Sequence, residues 1–194
     1  PESNFSHPRD WLYMSWAKQT LLNLNNTLLG RMLLGPMISL SRFYYADLCA
    51  MISGDMSVIK AYIMHGLGLG LVLVWMSAYG HMPMPLYILS AYFGMSVLKI
   101  RTYLEHRAHE DCAGRTVIIE DRGILALLFL NNNLHALHHA KPYLRWYQLP
   151  AAYRAERAAI LEHNDHYIYQ SYGQIFKQYL CRRKDPVMHP LRPK

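Results

Sequence analysis

Three histidines, His135, His138 and His139, stand at i, i+3 and i+4 within the stretch NNNLHALHHAKPYLRWYQLP, residues 131–150. On a helix of 3.6 residues per turn they fall within about 100° of arc, with His135 and His139 nearly stacked about 6 Å apart along the axis. One helix could therefore present three imidazoles to one metal ion or to a pair. Neutral imidazoles suit iron, zinc or copper better than magnesium or calcium. The competing reading is a polar helix face with incidental histidines. Three on one face, directly after the apolar run from Gly123 to Leu130, favour the metal. Asn131 beside them could hydrogen-bond a ligand or a metal-bound water.

A second cluster is RTYLEHRAHED, residues 101–111. His106 and His109 are three apart, so both could face one way, and Glu105 is placed to orient a ligand. The stretch is not the HExxH pattern of zinc proteases. His106 is read as a ligand; His109 is left open between ligand and surface residue. His163 and His166 share the same spacing but lie among polar residues in EHNDHY and read as a solvated surface. His7, His81 and His189 have no neighbours in sequence that would make a site. His65 reads as interfacial.

The elements that must position these residues follow from charge and hydropathy. Residues 61–98 contain no Asp, Glu, Lys or Arg. The flanks are charged, with five Lys/Arg and four Asp/Glu in residues 1–60 and fourteen and nine in residues 101–194. Ala61–Tyr79 is long enough for roughly 28 Å of helix, near the hydrocarbon thickness of a bilayer. GHMPMP, residues 80–85, is a turn, and Leu86–Ile100 is a second apolar stretch closed by Lys99 and Arg101. Together they predict a transmembrane hairpin. The turn lacks Lys and Arg while both flanks are basic, which puts the flanks in the cytoplasm. Trp75, Tyr79 and Tyr87 fit an aromatic belt near the turn. Gly66, Gly68 and Gly70 lack the strand and spacing of a dinucleotide site and suggest close helix packing instead.

Before the hairpin, Leu21, Leu24, Leu28 and Met32 share one face of a helix starting near Thr20, which Gly35-Pro36 should break or bend. Mixed polarity suggests that it lies in the membrane interface. After the hairpin, Val117–Ile119 reads as a short extended piece and Ala151–Leu161 as a helix. The tail from Cys181 reads as loosely ordered. Three scattered cysteines, Cys49, Cys112 and Cys181, give no disulfide framework. The net charge of +7 comes with no nucleic-acid motif, so a bilayer partner is the better account of it than nucleic acid.

These residues carry a family resemblance. HALHH resembles the last histidine box, HxxHH, of the membrane fatty acid desaturases. Asn131, Pro142, Trp146, Tyr147 and Leu149-Pro150 resemble the frame of that box in bacterial members. RTYLEH is similar to the Arg-x-x-x-Glu-His element after the last hairpin, and the related alkane hydroxylases have a comparable Tyr-x-Glu-His. LNNTLLGRMLLGP, residues 24–36, resembles the segment between the second box and the hairpin. The likeness spans most of residues 20–150. In the family the first two boxes, HxxxH and HxxHH, precede this segment; neither occurs ahead of HALHH within residues 1–194, and PESNF resembles the sequence just after the second box. The expectation is therefore a partial desaturase-like domain over residues 1–194.

The resemblance implies an all-α integral-membrane protein. Its parts would be a loop and interfacial helices (1–60), a transmembrane hairpin (61–100), and a cytoplasmic metal-binding cap with a C-terminal tail (101–194). It implies a di-iron centre that uses O2 to remove hydrogen from an acyl-lipid or acyl-CoA chain, at the cytoplasmic face of a bacterial inner membrane. In that reading His106, His135, His138 and His139 are ligands, supported by Glu105 and Asn131. Electrons would come from a ferredoxin or cytochrome b5-type donor, for which a basic surface is suited. Two alternatives stand beside it: a di-iron hydroxylase or ketolase of carotenoid or alkane type, and an inactive metal-binding membrane fragment.

Overall fold

The structure is a computed structural model and describes residues 5–191. The chain forms two compact units. One takes the chain up to Leu33 and from Val97 onward; the other is Leu34–Ser96.

The first unit begins with α1 (Pro8–Tyr13) and α2 (Trp16–Asn25), the latter capped by the Ser15 hydroxyl, which accepts from Lys18 N. The helix expected to run from Thr20 to Gly35-Pro36 stops earlier and then continues past the proline. Thr27 makes the break: its hydroxyl donates to Leu24 O at 2.8 Å and accepts from Gly30 N at 3.0 Å. It closes one helix and caps the next, a role for which short polar side chains compete well. α3 (Leu28–Ile52) then passes through Pro36 uninterrupted. Gly35 and Pro36 are both buried, and the Ser39 hydroxyl donates to the Gly35 carbonyl at 2.7 Å.

In the second unit, Asp55 caps α4 (Met56–Trp75) by accepting from Ser57 N and Val58 N. The helix continues through a π-helical turn, Met76–Gly80. Together these 25 residues, Met56–Gly80, have a mean hydropathy of 1.7, and they form the one helix among the described residues long and apolar enough to cross a membrane. α4 buries none of its residues. A reversal follows at His81, whose φ is 47°, and leads into α5 (Met84–Thr102). The Tyr62 hydroxyl donates to Asp47 Oδ2 at 2.8 Å, tying α4 to α3. The packing role expected of Gly66, Gly68 and Gly70 has no counterpart within the described residues: a methyl group added at any of them would meet nothing within 4 Å.

Back in the first unit, β1 (Ile118–Ile119) pairs in parallel with β2 (Ile168–Tyr169). A parallel pair needs a crossover, and here it is α6 (Ile124–Leu128), α7 (His135–Ala140) and α8 (Leu149–His163). The period-2 alternation of a strand places β1 between two cores. Val117 and Ile119 join Leu28, Tyr103, Leu104 and Tyr167, while Ile118 joins Leu137, Leu149, Tyr153 and Leu161. α9 (Tyr172–Tyr179) is capped by Ser171 and buries Tyr172 and Ile175. Residues 181–191 of the tail are not loose, while 192–194 lie outside the described residues. Thr27 bridges Arg183, Ser6 bridges Met188, and Val187 and His189 are buried. Backbone pairing to two distant segments fixes a stretch whose prolines and charges alone suggested disorder.

Candidate metal centre

β1 and its flanks bring the histidines together. Residues 105–107 run extended alongside 115–117: Val117 N donates to Glu105 O and Arg107 N to Arg115 O, at 3.2 and 2.9 Å. His106 thus sits on a bridge with Thr116, not on a helix. From the crossover, Ala136 N donates to Val117 O and Ile119 N to Asn133 O, which pins the start of α7 to the same strand. The buried Asn133 amide adds bonds to Ile119 O and Asp121 O. The sharp entry to α7 is made by Leu130 and Asn131 in succession, with φ of 53° and 54°. Asparagine tolerates this left-handed conformation, whereas for leucine it is strained.

His106, His135 and His139 converge. Their Nε2 atoms lie 3.2 Å (His106 to His135) and 3.1 Å (His139 to His135) apart, and one nitrogen from each of the three falls within 4.8 Å of the others. Two imidazole nitrogens bound about 2.1 Å from one metal, at octahedral or tetrahedral angles, lie about 3.0–3.4 Å apart. The observed spacing fits that donor set. His135 and His139 meet because i and i+4 differ by only about 40° around a helix. His138, on the other side of His135, lies beside the trio with its ring stacked at 6.0 Å from that of His135.

Protonation suits ligation. Burial, reinforced by the neighbouring imidazoles, holds His106 down to about 4 and His135 down to about 3, and lowers His139 as well. All three are neutral near pH 7, with lone pairs available. Asn132 selects the tautomer of His135. Its Nδ2 donates to Glu105 Oε1 at 3.1 Å, so its Oδ1 accepts from His135 Nδ1, 3.4 Å away. That leaves Nε2 bare and facing the other two. Glu105 in turn pairs with Arg101 at 3.0 Å, and its carboxyl is raised above the usual range by burial. Glu105 therefore acts on His135 through Asn132. Asn131, the residue chosen from sequence, is directed elsewhere, donating to Trp146 O at 3.1 Å. Three asparagines in a row have the same sequence signature, and only the left-handed turn decides which one faces the histidines.

The remaining histidines fall outside the trio. His109 lies 3.2 Å from Asp165 Oδ2, together with Arg107, so the i, i+3 relation to His106 is lost with the helix. His163 and His166 are exposed at the C-terminal end of α8, where Asp165 and His166 take positive φ. Nothing in its sequence neighbourhood marks Lys184. It is almost fully buried beneath the site, donates to His106 O at 2.6 Å and Tyr103 O at 3.4 Å, and lies 3.5 Å from Asp185. Burial lowers its ammonium to about 8.

A short helix and an extended segment thus bring together three neutral imidazoles that could hold one cation, in a largely helical protein with one helix long and apolar enough to cross a membrane. The model of the family described as fatty acid desaturase matches residues 2–171. The chain belongs to the fatty acid desaturase family, whose members are membrane-associated and generally di-iron. No curated protein and no solved structure matches it.

Proposed function

We propose that the chain carries the last histidine box of an O2-dependent membrane iron enzyme that introduces a C=C bond into an acyl chain. The observation that carries this reading is the convergence of His106, His135 and His139 on one point in a chain of this family. These three would hold one iron, and His138 is the candidate ligand for a second. Bound iron supplies one-electron chemistry with O2, strong enough to take hydrogen from an unactivated methylene. The chain's own residues prepare for this: burial keeps the imidazoles neutral, Asn132 fixes the tautomer of His135, and Lys184 holds the backbone of His106. Met56–Gly80 and α5 would form a transmembrane hairpin with the histidines on the cytoplasmic side of a bacterial inner membrane. A ferredoxin or cytochrome b5-type protein would supply electrons.

The test is acyl-chain analysis in a bacterium expressing the open reading frame that encodes this chain, with and without O2. The expected product is a new double bond that requires O2 and is lost in His135→Ala. An alcohol in its place would assign hydroxylation. No oxidised lipid from iron-loaded protein supplied with reductant would overturn the enzymatic reading.

A further inference from the structure

A cleft of about 890 Å³ opens in the first unit, and none of the clustered histidines lines it. Its apolar lining includes Ala126, Leu127, Leu134 and Pro150, and three arginines stand around it: Arg122, Arg154 and Arg157. The two acids beside them are already engaged. Glu120 accepts from Arg157 and from the Tyr153 hydroxyl. Asp121 accepts from the backbone of Gly123 and Tyr172. Arg122 and Arg154 make no hydrogen bond or ion pair among the described residues. Arg122 is near enough to Glu120 to help lower its carboxyl, but the cleft still offers guanidinium N–H donors that no hydrogen bond among the described residues takes up.

Directly beside it, α6 presents an unusual surface. Its inner side packs into the unit through Ala126 and Phe129. Its outer side is equally apolar, with Ile124 84% exposed, Leu127 62%, Leu128 57% and, just after the helix, Leu130 53%. Leu127 belongs both to this ledge and to the cleft. A helix apolar all round is covered on every side in its working state, and contiguous exposed aliphatic surface marks a site of membrane or protein contact. Aliphatic side chains next to arginines whose N–H donors are not hydrogen-bonded are the pattern of an interfacial segment, which dips into the acyl boundary while its cations meet phosphates.

We propose that this edge of the first unit seats on the bilayer, with α6 at the acyl-chain boundary and the Arg122/Arg154 cleft on the phosphate of an anionic phospholipid headgroup. The proposal rests on the membrane association of the family and is independent of the iron chemistry. An acidic protein carrier would suit the arginines but not four outward aliphatic side chains from one short segment. A lipid accounts for both.

The test uses the full chain in nanodiscs containing phosphatidylglycerol. The three exposed cysteines are replaced (Cys49→Ser, Cys112→Ser, Cys181→Ser) and a spin label is attached through Leu128→Cys. The label is expected to collide with O2 in preference to a water-soluble nickel chelate, whereas one attached through Ala155→Cys, on α8, should show the reverse. Equal nickel access at the two positions would overturn the proposal. In the second arm, Arg122→Gln/Arg154→Gln is expected to retain about tenfold less phosphatidylglycerol on detergent extraction, read by native mass spectrometry, with phosphatidylcholine unchanged. Cobalt binding at the histidines should stay at the parent level, which reports an intact fold. Unchanged phosphatidylglycerol retention with weakened binding of an acidic carrier would assign the arginines to a protein and overturn the lipid reading. Because both readouts are independent of catalysis, failure of the desaturase reading leaves them interpretable.

Discussion

The two units of this chain use the same apolar residue types in opposite ways. In the histidine-bearing unit, Leu28, Leu104, Ile118 and Leu137 are at most 1% exposed, and polar groups such as Asn133 and Asn164 are buried with their amides donating to backbone carbonyls. In the unit from Leu34 to Ser96, Leu71, Val74, Ile88 and Phe93 are 59–74% exposed, and α4 has no buried residue. The first unit makes its own apolar interior because water is its solvent, at a transfer gain of about 25 cal/mol per Å². The second buries few side chains, the pattern expected of the proposed membrane hairpin, because in lipid every backbone polar group must be satisfied within the helix. A metal site that needs fixed nitrogens belongs in the first kind of structure.

The contrast can be broken at several points. Leu137→Ala removes a fully buried side chain between β1 and α8 and should cost about 2–5 kcal/mol in equilibrium unfolding, whereas Leu71→Ala should stay within about 0.5 kcal/mol. Equal costs would mean that the second unit has a packed core after all. Next in size, Leu71→Lys should add about 2.5–3.5 kcal/mol to membrane insertion, read by glycosylation mapping. Ala155→Lys on exposed α8 should be neutral. Insertion of the Leu71 variant as efficient as the parent would remove α4 from the bilayer.

Within the first unit, Asn132→Ala should weaken metal binding about 10–100-fold, by calorimetry, without changing the thermal midpoint. Asn131→Ala gives up only its bond to the Trp146 carbonyl and should bind metal as the parent does. The smallest effect is on pH. The Arg157 guanidinium, then the Tyr153 hydroxyl, hold the Glu120 carboxyl below its ordinary range against burial. Its contribution to stability is complete above the unfolded pKa and is lost as pH falls through the folded one. Between about pH 6 and about pH 3 the parent should therefore lose more thermal stability than Glu120→Gln.

Much of this was legible in the sequence, where the signal was local. HALHH predicted a helix with His135, His138 and His139 on one face, of which His135 and His139 meet His106 while His138 lies beside them, and the charge-free block located α4. His106 was legible by its place in RTYLEH, although not its conformation, because an extended strand and a helix end give similar short patterns. What could not be read depended on residues distant in sequence. The separation of His109 from His106 is decided by the pairing of 105–107 with 115–117. The choice of Asn132 over Asn131 is decided by two left-handed residues. The burial of Lys184 is decided by the tail's return to Asn26. The second arm expected of a hairpin, α5, is long enough, but it does not qualify as a membrane-crossing helix by hydropathy, because Lys99, Arg101 and the serines dilute it.

The trio can be tested by cobalt titration of single-histidine variants, followed by ligand-field absorption. His106→Ala, His135→Ala and His139→Ala are each expected to abolish the parent spectrum, while His109→Ala and His163→Ala leave it intact. A parent-like spectrum from His106→Ala, or its loss in His109→Ala, would contradict a centre built on the His106, His135 and His139 trio.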